Sequence, residues 1–193
     1  MESIRFPFVM GKTVMTVTIA VISLILILTI GIIWMYFWMG SRTGWPNHYR
    51  IPSAIFLGLW SLICGGTILF CYLYAPNAVL INDQGITIER PFQPIVIPWG
   101  QIKTIRLVSP EEFKGTLRVF GNGGLFARTG RFHSPGLGNF RMYLTNEADA
   151  VLIEADDRWT ISPANSKEFV TEALRAMSYK RFNLKKEFIG SRG

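Results

Sequence analysis

Hydrophobic and polar residues are spread unevenly along the chain, and the unevenness predicts two kinds of structure. No charged residue falls between Lys12 and Arg42, and none between Arg50 and Asp83. Each gap exceeds the roughly 20 apolar residues that a helix needs to cross a hydrocarbon core about 30 Å thick. Two spans are therefore predicted, about 13–39 and 52–74. The first is almost purely aliphatic from Ile19 to Leu28 and closes on Trp34, Tyr36, Phe37 and Trp38. Amphipathic aromatics prefer the headgroup level, so this cluster reads as an interfacial belt. A cleaved leader would have a shorter apolar core and a small-residue cleavage site, and neither fits here. The connection 40–50 is rich in turn formers, and Pro46 and Pro52 predict a break in the helix. In the second span Ala54 and Gly58, then Ser61 and Gly65, are small residues four apart. Such pairs let helix backbones approach closely in lipid, whether the partner is the first span or another copy of the chain.

From Pro76 onward the pattern shifts to period two. Ile86 and Ile88 alternate with Thr87 and Glu89; Phe140, Met142 and Leu144 with Arg141, Tyr143 and Thr145; Trp159 and Ile161 with Arg158 and Thr160. Period two marks antiparallel strands with one buried face and one wet face. Val79–Ile81, Ile95–Ile97, Ile105–Leu107, Leu117–Phe120 and Val151–Ile153 add further short strands, which predicts a small barrel or sandwich. A single helix follows. Asn165 with Glu168 reads as a capping box, and Phe169, Val170, Ala173, Leu174 and Met177 form one apolar stripe that should pack on the sheet. The predicted organisation is a two-helix transmembrane hairpin over 1–75, a β domain with its helix over 76–181, and a frayed basic tail over 182–193.

Charge and cysteine usage narrow the picture. The formal charge is +7. From Pro76 onward 16 Lys/Arg face 12 Asp/Glu, 16 − 12 = +4. That mild excess suits a domain held near an anionic bilayer and is too diffuse for nucleic acid. Cys64 and Cys71, seven residues apart on one helix face, cannot pair with each other and read as small packing residues. No Cys/His cluster points to a metal, and no cofactor is implied.

Many strands followed by one helix is the order of a pleckstrin-homology (PH) superfold. The chain resembles the bacterial PH-like domains appended to membrane helices. The resemblance runs through Asp83-Gln84-Gly85-Ile86-Thr87-Ile88, Ile97-Pro98-Trp99 before Ile102, and the glycine-rich Arg118-Val119-Phe120-Gly121-Asn122-Gly123-Gly124-Leu125-Phe126. It continues with Gly130-Arg131-Phe132, Leu137-Gly138, and Thr160-Ile161-Ser162-Pro163. It covers about Pro76 to Met177 and implies an antiparallel PH-like barrel of about seven strands capped by one C-terminal helix. It supplies no catalytic or ligand residues.

Candidate chemistry is sparse. Gly11-Lys12-Thr13 resembles the end of a phosphate-binding loop, but Phe6 stands where the first glycine belongs. Seven glycines between Gly115 and Gly138 accompany Arg118, Arg128, Arg131 and His133, with Arg141 just beyond. The simpler reading is a long hairpin whose glycines serve turns and bulges. The alternative is an anion or lipid-headgroup site held by Arg118, Arg128, Arg131 and Arg141. The loop Asn82-Asp83-Gln84-Gly85 is short and acidic, unlike the basic first hairpin of PH domains that hold inositol lipids. Asp156 and Asp157 with Glu154 read as a solvated turn. His48 and His133 have no nucleophile in an evident arrangement, so no catalytic residue is assigned. The uncharged spans argue for an anchor over an ion path.

The sequence therefore predicts a non-enzymatic membrane-anchored scaffold that engages the lipid bilayer and a protein partner or a second copy. The alternatives are an anionic-lipid or small-anion sensor, and a subunit of a larger membrane complex. Arg5, Lys12 and Arg90 against Arg42 and Arg50 favour both termini and the β domain on the cytoplasmic side of a cell membrane.

Overall fold

The computed structural model describes residues 3–43 and 47–190. Residues 44–46, in the middle of the expected connection, and 191–193 of the expected tail lie outside them. The two apolar runs form helices α1, Lys12–Thr43, and α2, Asn47–Tyr74. Both extend past the predicted spans, and Pro52 lies within α2. Close to the helix start a proline forfeits one backbone bond, which the long apolar segment tolerates. Leu24, Ile27, Ile30 and Phe37 on α1 and Leu62, Ile63 and Leu69 on α2 are exposed. Helices this apolar and this uncovered are suited to lipid. Half-buried positions recur at Ile25, Thr29, Ile32 and Tyr36 on α1, and at Leu57, Trp60, Cys64, Ile68 and Cys71 on α2. This spacing marks the seam between the helices, and across it the Trp60 indole donates to Thr29 Oγ1 at 3.2 Å. Ala54, Gly58, Ser61 and Gly65 are exposed on α2, off this seam. A Cβ on Gly58 or Gly65 would meet nothing within 4 Å.

Ten strands among the described residues form two sheets. The first has β1 (Ile4–Pro7), β2 (Ala78–Ile81), β3 (Gly85–Glu89) and β4 (Ile95–Pro98) in that order. The second contains β5 (Thr104–Leu107), β6 (Leu117–Gly123), β7 (Arg128–Ser134), β8 (Gly138–Leu144), β9 (Val151–Glu154) and β10 (Arg158–Ile161), ordered β5-β9-β10-β8-β7-β6. The expected PH-like, mainly antiparallel domain with its C-terminal helix is present, and its ten described strands lie in two sheets rather than in one barrel. One pairing, β8 with β10, is parallel, because the β9–β10 hairpin returns β10 to the direction of β8.

Strand β1 was not predicted. It precedes α1 yet pairs with β2, Phe6 opposite Val79. The following residues are stitched down by Phe8 N–H to the Asn77 carbonyl (2.9 Å) and Gly11 N–H to the Thr145 carbonyl (2.8 Å). Residues 4–7 thus belong with the sheet, although a boundary at 75 would group them with the helices. Phe6 is buried and meets Phe169 edge-to-face at 5.4 Å.

The main core lies between the two sheets and the C-terminal helix α3, Ser166–Gly190; it gathers Val79, Ile86, Ile88, Ile97, Ile153, Trp159, Ile161 and Phe169. Phe169, Ala173, Ala176 and Met177 are the buried face of α3, while Leu174 is exposed. Asn165 takes φ 55° and donates to the Glu168 carboxylate at 3.3 Å, so the predicted pair meets side chain to side chain. The helix continues to Gly190, where a frayed tail from 182 was expected; its Leu, Lys and Glu residues are good helix formers. A second core on the opposite face of the second sheet holds Phe132, Phe140, Met142, Leu144 and Leu152, with Phe113 packed against it.

The glycine-rich segment forms the β6–β7 hairpin, with a bulge between Arg118 and Phe120. Gly121 and Gly130 face each other across the strands at φ 130° and 133°. A Cβ on either would fall 2.1–2.2 Å from a carbonyl oxygen of the other strand. At the tip, Asn122 Oδ1 accepts from Gly124 N–H (3.1 Å) and Leu125 N–H (3.0 Å).

Candidate functional site

The β6–β7 hairpin tip is docked onto both apolar helices. Phe126 N–H donates to Thr18 Oγ1 at 2.8 Å, and that hydroxyl donates to the Gly124 carbonyl at 3.3 Å. The Phe126 ring meets Tyr72 of α2 at 5.8 Å. Phe126 adopts φ 64°, a left-handed conformation that costs a non-glycine residue energy and persists where surrounding contacts enforce it. The end of α2 is held as well, by Phe92 N–H to the Leu73 carbonyl (3.0 Å) and by Tyr74 against Phe92 (5.6 Å).

Between the end of α2 and the β6–β7–β8 surface lies a cavity of about 490 Å³. Arg90, Arg118, Arg131 and Arg141 line it, with Phe70, Cys71 and Tyr74 from α2 and Phe120 from β6. No Asp or Glu is among its lining residues. Strand register explains the gathering. Arg131 lies opposite Arg141, Phe120 opposite Arg131, and Arg141 opposite Trp159. These positions extend the row that is core at Trp159, so the buried face of the second sheet runs out into arginines where the smaller first sheet no longer covers it.

Each arginine is held differently. The Arg90 guanidinium stands 5.2 Å from the Tyr74 ring and 5.7 Å from the Tyr143 ring. It donates to the Gln93 carbonyl at 2.9 and 2.7 Å. Arg141 stacks over Trp159 at 4.7 Å and pairs with Asp157 at 2.7 Å. Arg118 and Arg131 have no carboxylate within ion-pair distance among the described residues. Like charges directly opposite across strands are destabilising. The Arg131–Arg141 pair is therefore a cost, which Asp157 offsets on the Arg141 side. Tyr143 also lines the cavity; burial pushes its hydroxyl above the usual phenol range, so it stays a neutral donor. A smaller depression of about 300 Å³ on the other side of Arg131 and Arg141 includes Asp157, which answers its positive charge.

Of the four arginines expected at an anion site, the structure brings together Arg118, Arg131 and Arg141. Arg128 is not in the cavity lining and pairs with Glu147. His133 hydrogen-bonds Asn139 at 2.8 Å. The acidic turn holds Asp157 on Arg141, and Glu154 accepts from Thr104 at 2.6 Å. Arg90 escaped the sequence reading, since it is separated from the glycine-rich segment and sits at the end of a strand. Tyr74 beside it offered the available signal, an aromatic closing an apolar helix two residues before Pro76.

With two apolar helices, two packed sheets and a closing helix in place, the family follows. A model of the bacterial PH domain matches residues 77–177, and the chain belongs to that family. The two N-terminal apolar helices fit a hairpin anchor for it. Comparison with curated proteins and with solved structures gave no match.

Proposed function

We propose that this protein is a non-catalytic, membrane-tethered interaction module whose PH-like domain binds an anionic group in the cavity beside α2. PH domains serve as lipid- or protein-interaction modules, and both ends of the apolar hairpin are tied to the β domain here. The carrying observation is the cluster of Arg90, Arg118, Arg131 and Arg141 without a carboxylate in the lining. Arginine forks suit phosphate and carboxylate oxygens.

The spans give a consistent depth. Thr18 precedes Trp38 by 20 positions, as Pro52 precedes Tyr72. At 1.5 Å per residue each interval is about 30 Å, one hydrocarbon core. The hairpin tip, which touches Thr18 and Tyr72, then sits at one membrane interface and brings the arginines to headgroup level. The positive residues near Arg5, Lys12 and Arg90 favour the cytoplasmic side of a cell membrane for both termini.

The test is thermal unfolding of the full chain in uncharged detergent, with inorganic phosphate or an acidic phospholipid added. Stabilisation by at least one of them, lost in the Arg118→Gln/Arg131→Gln double variant, is expected. No stabilisation by either would refute the reading. A second reading is favoured by the exposed edge strand β6, where Leu117, Val119 and Phe120 are 69%, 66% and 78% exposed. That edge would receive a strand of a protein partner or of a second copy. Crosslinking through cysteine introduced at Leu117 should then trap a defined product, and a clean monomer would exclude it.

A further inference from the structure

We infer that the anion taken by the cavity is the headgroup of a single anionic glycerophospholipid from the adjoining leaflet, entering sideways along α2 with its acyl chains following the apolar end of the lining. This rests on the anion-binding reading above and specifies its ligand.

The lining is divided by chemistry. Arg90, Arg118, Arg131 and Arg141 come from the β domain, whereas Phe70, Cys71 and Tyr74 come from the last turns of α2. Along α2, Phe70 precedes Tyr72, so it lies on the hydrocarbon side of the interface set by the hairpin tip. The cavity therefore runs from headgroup level toward the acyl chains. Phe70 is 59% and Phe120 78% exposed. Phe70 lies among acyl chains whatever the cavity holds, but a soluble anion would leave the Phe120 ring in water, while an acyl chain would cover it. A volume of about 490 Å³ also exceeds the needs of a lone phosphate group.

Charge selects the lipid class. The four arginines face no carboxylate inside the cavity, and Asp157 meets Arg141 from outside the lining. A zwitterionic headgroup would bring its own cation into that field. An anionic one such as phosphatidylglycerol brings only the phosphate charge and neutral hydroxyls. Arg90 is immobilised between two tyrosines, which reduces the entropy lost on binding. Arg131 and Arg118 carry the guanidinium capacity left open for the phosphate oxygens.

The experiment uses the full chain, purified in mild uncharged detergent and stripped of lipid, with native mass spectrometry and thermal unfolding as readouts. Phosphatidylglycerol should bind one per chain and stabilise the protein, and phosphatidylcholine should bind at least about tenfold more weakly. Arg118→Gln and Arg131→Gln should each weaken phosphatidylglycerol binding about tenfold or more, while Arg128→Gln, outside the cavity, should not. Phe120→Ser should weaken lipid binding and leave any response to inorganic phosphate unchanged. Equal binding of the two lipids would overturn the inference. Equal stabilisation by inorganic phosphate, with Phe120→Ser inert, would overturn the lipid assignment and keep the anion site. No response to either would overturn both.

Discussion

The two faces of the second sheet are built from the same strands and end differently. On one face Phe132, Phe140, Met142 and Leu144 form a closed cluster, with Phe113 packed against it. On the other, Trp159, Tyr143 and Ile161 begin as core and give way to Arg141 and Arg131 one and two strands further on. The first face is closed over at its centre by Val108, Phe113 and Leu137. The second outlasts the four-stranded sheet that should cover it, and its uncovered end meets the last turns of α2. The cavity lined by Arg90, Arg118, Arg131 and Arg141 arises here from unequal sheet sizes.

Changes on the closed face should cost most. Phe132→Ala should destabilise by about 3–5 kcal/mol, read as a lowered chemical denaturation midpoint of the full chain in detergent. A loss below 1 kcal/mol would mean that this cluster is not a true core. Next comes the hairpin that joins the two faces. Gly130→Ala places a Cβ 2.2 Å from the Phe120 carbonyl oxygen at φ 133°. The conformation alone costs about 1–3 kcal/mol and the collision adds to it. Faster backbone amide exchange through β6 should report it, and unchanged exchange would contradict the register.

Thr18→Val removes the hydroxyl that accepts from Phe126 and donates to Gly124, at about 1 kcal/mol for each bond. Protease access to residues 122–127 should rise, and access to β9–β10 should not. Smaller still is the pH response. The Arg106 guanidinium, 2.7 Å away, with the Ser109 N–H, holds Glu112 down at about 2 from an ordinary 4.5. A depressed carboxyl contributes stability above its unfolded value and loses it as pH falls through the folded one. Between pH 4.5 and 2 the wild type should therefore lose slightly more stability than Glu112→Gln, and parallel curves would deny the pair any contribution. Arg131→Gln should change stability least, within about 0.5 kcal/mol, as expected for an exposed site. Without anion the sign should be stabilising, since it removes the cross-strand repulsion with Arg141. A marked loss of stability would show that Arg131 is structural.

What local pattern determines was legible from the residues. Uncharged runs of spanning length specify α1 and α2, period-two alternation and short apolar runs specify eight of the strands, and the glycine-rich stretch 115–138 specifies a long hairpin. The family was legible too, because its motifs lie in those same elements. Tertiary structure alone decided the rest. Ile4–Pro7 is too short and ordinary to declare itself a strand; it becomes one because β2, more than 70 positions later, offers an edge and Phe6 finds Phe169. The parallel β8–β10 pairing depends on β9 having reversed the chain between them. Arg90 joins Arg118, Arg131 and Arg141, while Arg128 is drawn off to Glu147. Ala54, Gly58, Ser61 and Gly65 have the spacing for helix packing yet lie off the seam with α1. Periodicity tells which side of an element is apolar, and only the summed packing of distant elements decides what that side will face.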